Sequence, residues 1–545
     1  MALVVSFLLV LLTLCSCSVP HGQPDETTTA VQAEDSSAPG ETLYFELANL
    51  PKIGPYHDGI VYQRLTEAFV DSFQPSDQYG AVVPYVGDYR AFQSVEIEEG
   101  DECYFNRKKP RYGLMTVNGT VITDAVYDGV YMDGGLIILD RCVMENDEGV
   151  NYRTILPCSG KWGLEIDYPN WSEGNWVCTC PQYDRFFVCD GERVSGYDYN
   201  GKKLFTTAEE WYYYDWELNE PGRILLRCSK DSVNKTILLD MNGKEIWSFK
   251  DIYIELGESS SHYFVGGIQT KKPDDVVTKY GILDENGEWV VPPIYDRTYV
   301  FHDRFFAIDN GYEVEVSDTN RDTIARLDGS GYDAPTIKCC DGELIFDEWD
   351  HDTSRRLWYA VNDGKPIMPK GVTVLDTFFC EESGCFFGLD EGGTGYLYTR
   401  DGTVLKTFPQ GISCYASNWE GMVEVNTGSE QKTTTHVIDP GTKQEAFRFV
   451  SRDVANNQEF DMGIRPKDTQ RYAILTAYPI EDTNEDRLTQ VYDTETDKVI
   501  LDRCSVADLF IVNGKTYCAA IRNDQCVVLD QNGAVLLRMP CAYLD

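Results

Sequence analysis

Histidine, basic residues and helical periodicity are all scarce in this chain of 545 residues. Only six histidines occur, His21, His57, His262, His302, His351 and His436, and they are scattered. No His-Glu-x-x-His, no Gly-x-Ser-x-Gly and no phosphate-binding glycine loop is present, so the familiar hydrolase and nucleotide chemistries lack their signatures. Lysine and arginine total 47 against 89 acidic residues, a formal charge of −42. Such a field repels phosphate backbones and anionic headgroups, which removes nucleic acid from the expected partners. An apolar 3.6-residue pattern is almost absent, with Tyr62 to Ser72 suggesting at most a helical turn or two. Cysteine is not lacking, but its spacing is poor for metal: Cys178-Thr179-Cys180 and Cys339-Cys340 form no Cys-x-x-Cys knuckle. Buried thiols with some disulfides are expected, and neither a metal nor a cofactor is.

The apolar run from Ala2 to Leu14, broken by Ser6 and Thr13, is too short to span a bilayer and reads as an export signal. It leads into Leu14-Cys15-Ser16-Cys17, which resembles a bacterial lipoprotein signal, a small residue followed by an acylated cysteine. On that resemblance residues 1–17 are the signal and Cys17 is the lipidated residue. Cys15 fits less well, because bulky Leu14 precedes it. No lysine or arginine stands ahead of the run, so plain secretion and an uncleaved anchor remain alternatives. Residues 18–41 are polar, acidic and Pro/Gly-containing, with little to bury, and read as a disordered tether.

Repetition dominates the remainder of the chain. Tyr112-Gly113 leads through Asn118-Gly119 to Tyr127-Asp128, and Tyr280-Gly281 leads through Asn286-Gly287 to Tyr295-Asp296. In both copies Asn-Gly falls six residues, and Tyr-Asp fifteen residues, beyond the opening tyrosine. The copies are 168 residues apart, four steps of 42, and further Asn-Gly turns fall near the same grid at Asn200-Gly201 and Asn242-Gly243. Short β-forming runs flank these pairs, which turn hairpins readily. The expected fold class is all-β and repeat-built, one or more β-propellers of four-stranded blades about 42 residues long. An open β-solenoid of stacked hairpins is the competing architecture. Residues 42–545 could hold about twelve such units, which favours two consecutive domains, 42–330 and 331–545. The glycine-rich stretch around Gly329, Gly331 and Gly342 marks their boundary.

The aromatic-Gly pair, Asn-Gly turn and Tyr-Asp ending resemble the WG-repeat proteins of bacteria, with Trp162-Gly163 as a third, less complete copy. That resemblance implies envelope-associated binding or scaffold modules without a shared catalytic constellation.

Two readings stand for each motif. Gly113, Gly163 and Gly281 could admit a close neighbour while Tyr112, Trp162 and Tyr280 fill space between layers, or the aromatics could touch a ligand. Asp128 and Asp296 could cap the turns that follow them, or contact a metal or sugar. The acidic turns at Asp284–Asn286, Asp318–Asp322, Asp482–Asp486 and Asp493–Asp497 offer oxygen ligands, yet hairpins select the same residues and none completes an EF-hand. Asp347 to Asp352 is the densest polar cluster, a cation site or a solvated loop. The aromatic runs Trp211 to Trp216 and Tyr168 to Trp176 make Trp171, Trp176, Trp211 and Trp216 candidate ligand contacts, although strand alternation should bury about half of each run. The expected function is an extracytoplasmic, lipid-anchored binding or scaffold protein without catalytic activity. Its partners would be a cell-envelope protein or glycan, and the membrane through its anchor. A carbohydrate-binding or carbohydrate-active protein with an acidic, aromatic-lined site, and a structural envelope component, are the alternatives.

Overall fold

The computed structural model describes residues 63–64, 73–90 and, with short gaps, 109–540. The signal, Cys17, the tether and Trp171 lie outside the described residues, as does Asp482–Asp486. So does most of Tyr62–Ser72, of which Gln63–Arg64 is a short strand.

Residues Thr42–Asp545 form one compact unit. Among the described residues its strands make eight four-stranded sheets, one three-stranded sheet and one eight-stranded sheet that carries two blades, eleven blades of a β-propeller. In chain order, blade 1 comprises 63–64 and 82–121, and blade 2 spans 129–168. Blades 3 to 6 span 177–206, 212–250, 252–295 and 297–328. Blades 7 to 11 span 337–360, 376–408, 411–453, 458–504 and 506–540. Within blades 2 to 6 each strand pairs antiparallel with the next, so the chain runs from one edge of the blade to the other. The first strand of a blade lies against strands of the blade before it, as where Ile252–Leu256 lies beside Tyr212–Asn219 and Val233–Asp240; with the chain running edge to edge through each blade, first strands line the hub and fourth strands the rim. Blade 7 lacks a full fourth strand, and a single bridge from Tyr359 to Pro366 stands in its place.

The middle strands show why alternation is hard to read in this chain. In Leu136-Ile137-Ile138-Leu139, Ile137 and Leu139 pack into the cluster shared with blades 1 and 11, while Leu136 and Ile138 pack against blade 3. Phe186 and Phe187 divide in the same way between blades 2 and 4. Period two therefore sorts side chains between two neighbours, not between core and water, and the strands read as continuous apolar runs.

The same clusters close the ring. One apolar cluster spans each step from blade 2 to blade 9, a further one joins blades 10 and 11, and one unites blades 11, 1 and 2. Blades 9 and 10 are continuous through the pairs Arg452–Glu459 and Asp453–Gln458. The step from blade 6 to blade 7, which crosses residues 330–331, is packed like the others through Phe301, Val316, Ile337 and Phe346. At the closing seam Val82–Arg90 packs against three strands of blade 11, and the Tyr112 hydroxyl donates to Asp508 at 2.8 Å.

Asparagine-glycine turns join third to fourth strands at Asn118, Asn200, Asn242, Asn286 and Asn532, and at the last four an aspartate two residues earlier organises the turn. The carboxylates of Asp198, Asp240, Asp284 and Asp530 each accept the backbone N–H groups two and four residues on, at 2.8–3.0 Å. Asp318 does the same without a glycine, and Thr116 takes the position before Asn118-Gly119. These are side-chain-capped turns. At Gly243, φ is +81°, and an added Cβ would lie 2.3 Å from the Phe205 ring of the preceding blade, so glycine is required there twice over.

One inter-blade clamp carries a pH prediction. The Glu445 carboxylate of blade 9 bonds Lys406 of blade 8 and accepts from or pairs with His436 Nδ1 at 2.9 Å. Against the cost of burial, these contacts hold its pKa down at about 2 from an ordinary 4.5. A carboxylate with a depressed folded pKa stabilises above its unfolded value and loses that contribution as pH falls from about 4.5 to about 2. Glu445→Gln should therefore flatten the acid limb of the stability profile over that window while changing little below it. An unchanged profile in urea titrations across pH 2–5 would reject this role.

Candidate functional site

The duplicated cassette folds as a third-to-fourth-strand hairpin. Tyr112 and Tyr127 exchange backbone hydrogen bonds at 2.9 and 3.0 Å, and Tyr280 is in register with Tyr295. The basic residue just before each opening tyrosine pairs with the closing aspartate: Arg111 with Asp128 at 2.9 Å, and Lys279 with Asp296. Asp128 and Asp296 thus lock hairpins by ion pairs with the facing strand, while the Asn-Gly turn is capped by Thr116 in the first cassette and by Asp284 in the second. Tyr127 is fully buried; its hydroxyl accepts the Phe73 N–H at 3.0 Å, and burial pushes its phenol up to about 12. Trp162-Gly163 sits elsewhere, at the start of a fourth strand, where the Trp162 indole N–H donates to Tyr199 O of the next blade at 3.0 Å. Trp247 makes the equivalent bond to Glu285 O at 3.2 Å. Trp162 therefore matches Trp247, not Tyr112 and Tyr280.

Three of the candidate ligand-contact tryptophans, Trp176, Trp211 and Trp216, lie among the described residues and point inward. Trp211 is buried, and Trp176 and Trp216 pack against the same blade 3–4 cluster with ring centroids 5.6 Å apart. A bulge explains the pattern within Trp211 to Trp216. Tyr213 opposes Cys228 but Asp215 opposes Arg227, so Tyr214 is an extra residue. Before the bulge Trp211 and Tyr213 face the cluster; after it Trp216 and Leu218 do. Tyr212, Asp215 and Glu217 are thereby turned to the other face, toward blade 5.

That face holds a polar cluster built around Arg227. Arg227 of the second strand, almost wholly buried, bonds the carboxylates of Asp215 and Glu217 and donates from Nε to Ile254 O at 2.8 Å. Its guanidinium lies 4.9 Å from the centre of the Tyr253 ring. The other oxygen of Glu217 accepts the Leu256 N–H at 2.7 Å. Glu255, half-buried beside them, is raised by burial first and by Glu217 second. Tyr212 and Tyr253 stand 40% and 44% exposed, and Tyr212 stacks with Tyr214 at 6.5 Å.

Exposed tyrosines recur on the hub strands of blades 2 and 6. Tyr131 and Tyr299 are 39% and 41% exposed, and each lies 19 residues beyond the opening tyrosine of its cassette. The motif is longer than its Tyr-Asp ending, and the next aromatic three residues on is the readable signal. Arg227, Glu217, Tyr253 and Glu255 carry no such signal, since only packing brings them together.

The acidic turns that offer oxygen ligands spend Asp284 and Asp318 on backbone amides, and Asp347 is buried, accepting the Thr336 N–H and pairing with Arg356 at 3.1 Å. Among the described residues no group of three His, Cys, Asp or Glu side chains is arranged to hold a metal ion. Twelve described cysteines are buried, Cys178 and Cys180 as thiols 3.7 Å apart.

The fold and its hairpins define a β-propeller. The family model described as a WG containing repeat matches residues 280–308, the second cassette and the strand after it. No curated protein matches the chain. Among solved structures, a eukaryotic initiation factor is 8% identical with a TM-score of 0.37, covering 77% of this chain and 94% of its own. Hsv2 from Kluyveromyces lactis is 12% identical with a TM-score of 0.28, over 53% of this chain and 97% of its own. BamB from Moraxella catarrhalis is 11% identical with a TM-score of 0.20, over 59% and 84%.

Proposed function

We propose that this is a non-catalytic binding or scaffold protein, held outside the cytoplasm by an acyl chain on Cys17, that meets a cell-envelope partner through the hub face of its propeller. The observation that carries this reading is the set of tyrosines, Tyr131, Tyr212, Tyr253 and Tyr299, left exposed on hub strands in a chain that buries most of its large apolar side chains. Tyrosine supplies contact area at low entropic cost and is favoured at recognition surfaces. Removing two rings tests it. In a Cys17→Ala background, Tyr212→Ala with Tyr253→Ala should reduce co-sedimentation with isolated cell-envelope fractions by about tenfold or more, the loss typical of interface anchors. Unchanged sedimentation by a folded variant would reject the hub as the binding face.

The anchor is tested separately. A fatty-acid analogue should label the chain, and Cys17→Ala should abolish the label; persistent labelling would reject Cys17. A glycan partner is the second reading, favoured by the stacked Tyr212–Tyr214 pair beside half-exposed Asp215. Binding on a glycan array that the two tyrosine substitutions remove would select it.

A further inference from the structure

Charge does not balance where blades 4 and 5 meet at the hub. Asp215, Glu217 and Glu255 bring three carboxylates around one guanidinium, that of Arg227. Glu255 takes part in no side-chain hydrogen bond or ion pair among the described residues, although it is half-buried. Asp215 gives one oxygen to Arg227 and the other to the Trp216 N–H at 2.8 Å, yet keeps its carboxylate 48% exposed, with lone pairs left to accept. Beside these groups, Tyr212 and Tyr253 expose ring surface, and an aromatic face attracts ammonium and guanidinium groups. Arg227 shows the combination already at work within the fold, stacked on Tyr253 while it bonds two carboxylates.

We infer that this surface accepts the lysine or arginine side chains of a basic polypeptide segment. The inference rests on the binding reading above and names its partner's chemistry. A second cation entering from the hub meets what Arg227 meets from behind: an exposed tyrosine ring, with Asp215 and Glu255 as acceptors. A neutral glycan would leave the excess negative charge without use. The formal charge of −42 favours encounter with a basic partner and disfavours an acidic one.

The test uses the full chain and a blocked heptapeptide carrying two lysines and one arginine, titrated at physiological salt. Asp215→Asn with Glu255→Gln should weaken peptide binding about tenfold, while Asp322→Asn with Glu391→Gln, which removes the same charge from exposed turns, should change it less than about twofold. Glu255→Gln alone breaks no ion pair and serves if the double variant folds poorly; it should weaken binding about threefold. No peptide binding, or equal losses in site and control variants, would overturn the inference, the latter by showing only the general field of the protein. If Tyr212→Ala with Tyr253→Ala loses the envelope while Asp215→Asn with Glu255→Gln keeps both envelope and peptide, the cationic chemistry fails and the binding reading stands. If the tyrosine pair also keeps the envelope, both fail.

Discussion

Gly281→Ala should lower the stability of the folded ring by about 3 kcal/mol, the upper range for forcing atoms into a packed site. A Cβ on Gly281 would stand 2.4 Å from Val291 O and 2.8 Å from the backbone of Pro292 and Pro293. Backbone cannot swing aside as a side chain can, and the two prolines stiffen the strand that would have to move. Gly113, in the same place in the first cassette, meets instead the Tyr85 ring at 2.5 Å, and Tyr85 is fixed by its hydroxyl bond to Thr123 O at 2.8 Å. Gly163 meets Phe73 at 3.0 Å, a neighbour that needs to yield only slightly. The order of cost is therefore Gly281→Ala, then Gly113→Ala, then Gly163→Ala at about 1 kcal/mol. Urea midpoints of the three variants check the order, and a Gly281→Ala protein as stable as Gly163→Ala would overturn the reason given for the cassette glycine.

Arg227→Ala should be nearly as damaging, at about 3 kcal/mol. The side chain is almost wholly buried, and its loss leaves Ile254 O without its donor and brings Asp215, Glu217 and Glu255 together without a cation. The figure sits at the low end for breaking a buried ion pair, because Asp215 and Glu217 retain some solvent. Arg227→Lys should recover only part of the loss, since one ammonium cannot reach two carboxylates and a carbonyl in the fork geometry of a guanidinium. Adding Glu217→Gln to Arg227→Ala should restore stability by removing one of the stranded charges. A midpoint that does not rise in that double variant would mean that lost packing, not charge, sets the cost.

How far the sequence could be read depended on how local each device is. The hairpin turns needed only Asn-Gly and flanking β-formers, and the structure places them between third and fourth strands at Asn200, Asn242 and Asn286. The aspartate two residues before most of these turns was visible, but whether backbone amides or an ion would receive it stayed open, because a carboxylate beside amides looks the same in sequence in either case. Trp162-Gly163 matched the cassette by residue type alone, and a side chain's type does not tell a third strand from a fourth.

The aromatic run from Trp211 to Trp216 shows the limit most clearly. Alternation correctly implied that half the run is buried, but the extra residue at Tyr214 reverses the phase partway along, so that Trp216 turns inward and Asp215 outward. The sequence by itself determined the repeat, the hairpins, their turns and the all-β class, because each is enforced by contacts within about 20 residues of chain. Only the tertiary structure decided that eleven blades close on one another, which neighbour each strand face meets, and which tyrosines and carboxylates remain at the hub. Those outcomes depend on contacts between strands far apart in the chain, such as Tyr112 with Asp508, and no local pattern records them.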